Sequence, residues 1–361
     1  MIPANRPLAQ PVRWQQLWRE AVTDARELLD LLGLSARASD LLPGADTGFA
    51  VRVPRGFVAR MRYGDPADPL LLQVLPRAAE LGEVPGFRLD AVGDLAARAA
   101  HGVLHKYAGR ALLIATGSCA INCRYCFRRH FPYAQETAAA NRWEQALEHV
   151  RDDRSISELI LSGGDPLSLS TAKLAELTAA LPDMPHIRRL RIHTRLPVVL
   201  PERIDAEFRD WLSGLPLQRV VVVHANHPRE IDASVAIACK ALRDAGATVL
   251  NQSVLLRGIN DDADTLAALS ERLFDAGVLP YYLHQLDRVA GTAHFEVTDD
   301  AALGLMAALR RHLPGYLVPR LVRETAGAPY KEPIFGLSDL TAPAKPRDPI
   351  ERPMEMATRI R

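Results

Sequence analysis

The chain has 361 residues, a net charge of +1 and 48% hydrophobic residues. Charges of both signs are interspersed, so no strong field favours nucleic acid or an anionic membrane surface, and we expect neither as a partner. Residues 1–14 lack the apolar segment of a signal peptide, and the longest apolar runs are too short to cross a bilayer. We therefore predict a soluble, cytoplasmic protein.

The N-terminal part of the chain, residues 1–105, is predicted to be a mainly helical region. Residues 14–33 show the apolar spacing of an amphipathic helix, and Gly33 stands where a C-terminal cap belongs. The apolar face of this helix consists of Leu17, Ala21, Leu28, Leu31 and Leu32. A second helical stretch is predicted over residues 89–100.

From about residue 110 the pattern changes to short apolar runs that alternate with helical segments. The predicted strands are 111–116, 158–162, 190–194, 220–225, 248–252 and 279–284. The predicted helices are 141–151, 171–181, 203–212, 232–245, 262–275 and 299–312. Continuous apolar strands separated by helices indicate a parallel sheet buried on both faces. Six such units are fewer than the eight of a complete TIM barrel.

The predicted fold class is therefore α/β, with a partial (β/α)6 TIM-like barrel over residues 106–315. Residues 316–361 form a predicted C-terminal extension. The segment from about residue 337 is rich in proline and charge and lacks periodicity. This composition favours a solvated or partner-clasping tail over a folded element.

Three cysteines lie close together in the segment CAINCRYC, at Cys119, Cys123 and Cys126. Their C-x3-C-x2-C spacing can supply three thiolates to a [4Fe–4S] cluster and leave the fourth iron open for a small molecule. The segment resembles that of the radical S-adenosylmethionine (SAM) enzymes. The alternatives are a chance group of buried thiols and a zinc site, which normally needs a fourth cysteine or histidine, for which His130 is the only near candidate.

Polar or glycine-bearing segments follow each predicted strand. Because the C-terminal strand ends of α/β barrels carry the active site, these segments predict one large site around the barrel axis. Gly163 and Gly164 would let a ligand approach the backbone closely. Asp165 could accept a hydrogen bond from an ammonium group, or cap a helix that begins at Pro166.

Amides and histidines are the other unusual residues at these strand ends. Asn251 and Gln252 interrupt an apolar strand, and a polar ligand such as part of SAM would satisfy their hydrogen-bonding groups. His193, His224 and His227 are each, taken alone, equally consistent with an ordinary interior histidine. The repetition of polar strand ends is the stronger signal.

From about Val51 to Lys331 the sequence resembles the lysine 2,3-aminomutase family, which combines radical SAM chemistry with pyridoxal 5′-phosphate (PLP). The segments that carry the resemblance are CAINCRYCFRRHFPY, LSGGDPLSLS, RIHTRLPVVLPERI, HANHPREI, NQSVLLRGIND, YYLHQLD and GTAHF. The segment VRVPRGFVARMRYGDPADPLLLQVLP and the ending LVRETAGAPYK most resemble the subgroup that makes (R)-β-lysine for modification of elongation factor P.

The resemblance implies a role for individual residues. Lys331 occupies the position of the lysine that forms a Schiff base with PLP. Arg128 matches the arginine that binds the substrate carboxylate, and its planar fork suits that task. Asp287 and Glu324 match the two acids that bind the ε-ammonium of the substrate.

The cofactor ligands follow from the same resemblance. Cys119, Cys123 and Cys126 would bind the cluster. Lys106 and Arg110 correspond to basic residues near the PLP phosphate. The residues assigned to SAM are Ser162, Gly163, Gly164, Asp165, Arg195, His224 and Gln252.

The implied reaction is the conversion of L-α-lysine to (R)-β-lysine by 2,3-amino migration, with the cluster, SAM and PLP as cofactors. The implied partners are a reductant protein of the flavodoxin or ferredoxin type and the ligase that acts downstream on elongation factor P. A homo-oligomer is expected. The alternatives are a catabolic or osmolyte-forming lysine 2,3-aminomutase, and a non-catalytic iron–sulfur redox protein.

Three departures from the family pattern bear on these expectations. The longer, lysine-degrading enzymes have a glycine run before the PLP lysine, where this chain reads AGAPY. The family's second substrate acid is aspartate, and here it is Glu324, one methylene longer. The chain also lacks the C-terminal cysteines that bind zinc in the longer enzymes, and we expect Cys239 to be a core residue.

Overall fold

A computed structural model describes residues 13–138 and 143–336, and the predicted tail from residue 337 lies outside this range. Ten strands form one sheet, in which they stand in the order they have in the chain. The strands are β1 (Arg98–Ala100), β2 (Val103–Tyr107), β3 (Arg110–Thr116), β4 (Glu158–Gly163), β5 (Arg189–Thr194), β6 (Gln218–His224), β7 (Ala247–Val254), β8 (Leu279–His284), β9 (Arg320–Arg323) and β10 (Glu332–Pro333).

The helices are short in the N-terminal region and longer between the strands of the barrel. They are α1 (Trp14–Arg19), α2 (Ala25–Leu31), α3 (Ala38–Leu41), α4 (Arg55–Val58), α5 (Pro69–Leu72), α6 (Tyr133–Glu136), α7 (Glu144–Asp152), α8 (Thr171–Thr178), α9 (Leu196–Val199), α10 (Ala206–Gly214), α11 (Ala233–Asp244), α12 (Ala263–Asp275) and α13 (Asp299–His312). In the part of the chain that the structure describes, no helix is both long enough and apolar enough to cross a bilayer.

The parallel strands β3 to β8 confirm the six predicted strand–helix units. Their central residues are apolar and fully buried, as Val221, Val222 and Val223 of β6 show. Such strands are covered on both faces, here by helices outside and by the barrel interior inside. The partial α/β barrel predicted from the sequence is therefore confirmed.

Five of the helices that follow these strands begin at side-chain caps. Asp205, Asp232 and Asp262 each accept a hydrogen bond from a backbone N–H in the first turn of α10, α11 and α12. Ser170 and Thr298 do the same for α8 and α13. Because the first backbone N–H groups of a helix have no partner within it, these caps set where each helix starts.

The sheet is larger than predicted at both ends. A seventh parallel strand, β9, pairs with β8, and β10 folds back antiparallel onto β9. At the other end β1 and β2 form an antiparallel hairpin that pairs with β3. The division into residues 1–105, 106–315 and 316–361 stays a prediction, and one sheet runs across both boundaries.

The predictions of two helices in the N-terminal region, over residues 14–33 and 89–100, are wrong. The segment 14–33 divides into α1 and α2 because Val22 pairs its backbone with Val53 through two hydrogen bonds of 2.9 Å, and Asp24 caps a new helix. Over 89–100, the side chain of Asp90 accepts hydrogen bonds from the N–H groups of Asp94 and Leu95. These bonds favour a turn over a helix, and the segment ends in strand β1.

Candidate active site

A cavity of about 540 Å³ opens at the C-terminal ends of the parallel strands. Side chains two residues apart on a strand point to the same face, so one strand can direct two side chains into the cavity. From β5 these are Arg191 and His193, and from β8 they are Tyr282 and His284. Every residue assigned to a cofactor or to the substrate from the sequence lines this cavity. The strand order thus brings together residues from Lys106 to Lys331.

The three cysteines lie in the loop after β3, and all three line the cavity. Removal from water and their mutual repulsion raise the pKa of Cys119 well above its usual value and that of Cys126 to about 11. Bound cations would therefore be needed to keep Cys119 and Cys126 as thiolates. This requirement fits a metal cluster.

The spacing of the sulfurs separates a cluster from a single zinc ion. Three thiolates on one zinc ion stand roughly 3.8 Å apart. Among the residues that the structure describes, the three sulfurs do not form a group whose members all lie within 4.8 Å of one another. His130, the only near candidate for a fourth zinc ligand, points its Nε2 at the carbonyl oxygen of Ala290, 3.1 Å away. The cysteines therefore fit a [4Fe–4S] cluster.

A buried ion pair anchors the cysteine loop to the N-terminal region. Glu80 is fully enclosed and accepts hydrogen bonds from Arg124 Nε, at 2.9 Å, and from Arg129, at 2.8 Å. Arg124 also donates to the carbonyl oxygen of Phe49, at 2.7 Å. The two arginines flank Cys126 in the sequence, so Glu80 fixes the loop on both sides of the third cysteine.

The structure gives a packing reason for the two glycines after β4, beside the ligand approach predicted from the sequence. A Cβ on Gly163 would lie 2.5 Å from the carbonyl oxygen of Thr116, and Gly163 has a φ of +118°. A Cβ on Gly164 would lie 2.5 Å from the carbonyl oxygen of Ser118. The missing side chains make room for the cysteine loop itself. Both glycines also line the cavity, and their contact with SAM stays a prediction.

Asp165 acts within the protein as a cap and a loop anchor. Its two carboxylate oxygens accept hydrogen bonds from Leu167 N, Thr194 Oγ1, Arg195 N and Leu196 N, at 2.7–3.2 Å. The cap suggested by the sequence is thus present. Burial raises the pKa of this carboxyl to about 6 in spite of these donors. Through these four hydrogen bonds Asp165 ties the segment after β4 to the end of β5.

Arg195 links the cysteine loop to a buried polar network. It donates to Cys123 Sγ at 2.6 Å, to Gln73 Oε1 at 2.7 Å and to Glu230 Oε2 at 2.9 Å. Glu230 is fully buried, and its charge balances the guanidinium. Arg195 therefore places a positive charge against a cluster ligand, next to the region assigned to SAM.

A chain of alternating charges runs across the floor of the cavity. Lys331 Nζ lies 2.5 Å from Glu324, whose other oxygen lies 2.9 Å from Lys106 Nζ. Lys106 continues to Asp94 at 2.6 Å, and Asp94 continues to Arg128 at 2.6 Å. Burial opposes ionisation of Glu324, but Lys331 and Lys106 outweigh it and hold the pKa of Glu324 well below its usual range. Glu324 and Asp94 each lie between two basic side chains in this chain of contacts.

Asp94 is a part of the site that the sequence did not indicate. It is buried, and Arg128 and Lys106 outweigh the effect of burial and lower its pKa. Asp94 lies in the segment 89–100 that was wrongly predicted as helix, where a lone aspartate gives no signal. Only the fold shows that it separates two cations.

Asp287 differs from Glu324 although both face the same cavity. Removal from water and the nearby charge of Glu324 raise the pKa of Asp287 to about 7. This carboxyl is therefore poised to ionise when a further cation arrives. A substrate ammonium group would supply that cation.

Three histidines line the cavity as neutral rings. Burial holds the pKa of His193 and of His284 well below the usual value and lowers that of His224 to about 3. His224 Nε2 lies 2.9 Å from the amide nitrogen of Gln252. Neutral imidazoles beside Lys331 add no further positive charge to the site. Asn251, by contrast, is satisfied within the fold by Ala225 and Ser253.

Arg110 stacks on the ring of Tyr107, with its guanidinium carbon 4.6 Å from the ring centre. Burial and Glu324 raise the pKa of Tyr107, so its hydroxyl stays protonated. The amine of Lys106, the guanidinium of Arg110 and the hydroxyl of Tyr107 all line the cavity and can donate hydrogen bonds to a phosphate group. The residues present thus fit PLP as well as the cluster.

Comparisons with known proteins agree with this geometry. Residues 113–269 match the family described as the radical SAM superfamily, so the barrel and its cysteine loop define a radical SAM enzyme. The chain is 49% identical to the L-lysine 2,3-aminomutase of Escherichia coli K12, over 89% of this chain and 94% of that protein. It is 44% identical to the Haemophilus influenzae L-lysine 2,3-aminomutase, over 92% and 98% of the two chains.

A more distant relative, the L-lysine 2,3-aminomutase of Clostridium subterminale, is 32% identical over 90% of this chain and 77% of that protein. The chain therefore belongs to the L-lysine 2,3-aminomutase family. Membership makes it an isomerase with a [4Fe–4S] cluster, SAM and PLP as cofactors. The predicted family, enzyme class and cofactors are confirmed.

Proposed function

We propose that this enzyme converts L-α-lysine to (R)-β-lysine by 2,3-amino migration, for the modification of elongation factor P. The observation that carries the reaction is that Lys331 and the three cysteines line one cavity. When bound, the cluster and SAM supply a radical that abstracts hydrogen, and PLP holds the migrating nitrogen. The protein must then bind lysine between them.

The charged residues match a substrate with opposite charges at its two ends. Arg128 lines the cavity with its Nε held by Asp94, and the rest of its guanidinium can donate to a substrate carboxylate. Asp287 follows strand β8 and Glu324 directly follows β9, and both line the cavity, where they can bind a terminal ammonium group. A substrate with a second carboxylate would meet two acids there, which like-charge repulsion disfavours by several kcal/mol.

The chain's own residues also prepare the site before the substrate arrives. Glu324 holds the Nζ of Lys331 and would keep it positioned towards PLP. The neutral histidines bring no charge into the cavity that would hold water there. Exclusion of water protects a radical from side reactions.

The role in elongation factor P modification rests on the subgroup resemblance of residues 51–76 and of the ending at Lys331. We accordingly propose a flavodoxin- or ferredoxin-type reductant and a downstream elongation factor P ligase as partners. We also propose a cytoplasmic, homo-oligomeric enzyme. The mass of elongation factor P from cells that lack the gene tests the pathway, because loss of the β-lysyl group is expected.

An anaerobic assay tests the reaction itself. Reconstituted, reduced enzyme is incubated with SAM, PLP and L-lysine, and β-lysine is measured by mass spectrometry after chiral derivatisation. We expect (R)-β-lysine from the enzyme and none from Cys123→Ala or Lys331→Ala. The controls are Cys239→Ala and Lys240→Ala, which change the same residue types outside the cavity. SAM cleavage without β-lysine would contradict the proposed substrate.

A further inference from the structure

Outside the active site, two histidines and an aspartate come together between β2 and α7. The ligand atoms of His105, His149 and Asp153 all lie within 4.8 Å of one another. None of the three residues lines the active-site cavity. They therefore form a separate cluster of side chains that can bind metal.

The backbone fixes the three positions. His149 and Asp153 stand one helical turn apart at the end of α7, where the N–H of Asp153 donates to the carbonyl oxygen of His149 at 3.1 Å. His105 comes from β2, and its N–H donates to the carbonyl oxygen of Ala97 at 2.9 Å. The two imidazole rings meet edge to face, with 6.2 Å between their centres.

Hydrogen bonding among the described residues leaves two possible ligand atoms, His149 Nε2 and Asp153 Oδ2, without a partner. His149 Nε2 is buried and has no hydrogen-bond partner. Asp153 uses Oδ1 to accept from the N–H and hydroxyl of Ser155, at 3.0 and 2.6 Å. Its Oδ2 lies 3.7 Å from His105 Nδ1, which is too far for a hydrogen bond. A cation between the three side chains would satisfy these atoms.

We propose that His105, His149 and Asp153 bind a divalent transition metal ion, with Zn²⁺ as the representative ion. Two imidazoles and a carboxylate are suitable zinc ligands at about 2.0–2.2 Å, and their donor atoms then stand roughly 3.3 Å apart. The distance of 3.7 Å between His105 Nδ1 and Asp153 Oδ2 is close to that spacing. The side chains of His105 and Asp153 are 20% and 32% exposed, so solvent can deliver the ion and fill the fourth position.

The position of the site suggests what the ion does. His105 precedes Lys106, and neighbouring residues on a strand point to opposite faces. Lys106 lines the cavity, where it contacts Asp94 and Glu324, whereas His105 faces α7. An ion that ties β2 to α7 would therefore hold the strand that carries Lys106. This site is independent of the proposed substrate.

Zinc content tests the proposal on the full-length, iron-reconstituted enzyme. After incubation with ZnCl₂ and gel filtration, we expect one zinc per chain, and less than a tenth of that in His149→Ala and in Asp153→Asn. The matched control is His186→Ala, because the Nε2 of His186 already contacts the carbonyl oxygen of Val150. Iron content should be the same in all four proteins.

The zinc environment gives a second readout. Zinc-edge X-ray absorption should show only nitrogen and oxygen neighbours, at about 2.0–2.1 Å. Sulfur neighbours would place the zinc on the cysteines and overturn the proposal. Equal zinc content in the enzyme and in Asp153→Asn, which keeps the shape of the side chain, would overturn it as well. Failure of the lysine assay would leave these results unaffected.

Discussion

Asp287 and Glu324 illustrate at the residue scale how position decides the charge of a carboxyl group. Glu324 contacts two lysines and stays ionised, whereas Asp287 is removed from water beside Glu324 and has a pKa raised to about 7. In the free enzyme Glu324 is therefore an anion, whereas Asp287 titrates near neutral pH. A cationic substrate would favour the ionised form of Asp287.

The KM for lysine is expected to depend on pH through Asp287. As the pH falls below about 7, Asp287 takes up a proton and loses its attraction for the ammonium group. The KM should then rise up to about tenfold per pH unit, since one pKa unit is about 1.4 kcal/mol. Steady-state kinetics from pH 6 to 8.5 measure this change. In Asp287→Asn the KM should be high at every pH, and an unchanged pH profile in that variant would contradict the assignment.

The side chain of Glu324 is one methylene longer than the aspartate expected from the family, and this length matters for its contacts. It lets one carboxylate reach both Lys106 and Lys331. In Glu324→Asp we expect one of these contacts to be lost and the KM for lysine to rise about tenfold, because a charged hydrogen bond contributes about 1.5–3 kcal/mol. The control is Glu332→Asp, since Glu332 is exposed and its carboxylate accepts a hydrogen bond from the hydroxyl of Thr325. Equal KM values for both variants would argue against the bridge.

The candidate site residues could be predicted from the sequence where a motif or a family position marks them. The cysteines and Lys331 are of this kind. Asp94 could not, because its role arises from contacts with Lys106 and Arg128, which come from other elements. The packing role of Gly163 and Gly164 could not be predicted either, since their close neighbour is a backbone more than forty positions away in the chain.

At the scale of elements, the end of β4 and the cysteine loop form one unit. Gly164 touches the loop so closely that no side chain fits. In Gly164→Ala the added Cβ would push the loop away, and we expect the cluster to be lost or unstable. The measurement is iron per chain after reconstitution, together with the cluster absorbance.

Gly304→Ala is the matched control for this experiment. Gly304 lies within helix α13, where a Cβ would meet nothing within 4 Å. Alanine also favours a helix over glycine by up to about 1 kcal/mol, so this variant should keep its full iron content. Full iron content in Gly164→Ala as well would show that the loop can adapt.

The elements that the sequence predicts best are those with a strong local pattern. The six apolar strands and the capped helices between them were found in this way. The short strand β9 was missed because its four residues show no alternation. The break between α1 and α2 was missed because a distant partner, Val53, pairs with Val22. Tertiary pairing of this kind overrides a local helical pattern.

At the scale of the whole molecule, Glu80 joins the N-terminal region to the barrel. Its removal would leave Arg124 and Arg129 buried without a counter-charge. Breaking a buried ion pair costs roughly 3–5 kcal/mol, so Glu80→Gln should unfold at a clearly lower denaturant concentration. The control is Glu27→Gln, because Glu27 forms an exposed pair with Arg55 and such pairs contribute at most about 1 kcal/mol. Similar midpoints for the two variants would contradict the role of Glu80.

The order of the sheet has a consequence for how the enzyme is made. The cysteines follow β3 in the chain, so they leave the ribosome when β3 is the only parallel strand that has been made, whereas Lys331 leaves it after β9. A growing chain thus has the proposed iron ligands early, but it has the proposed PLP lysine only once every parallel strand has been synthesised. Attachment of the coenzyme would mark a completed barrel, and a stalled chain would stay without it even with all its cysteines in place.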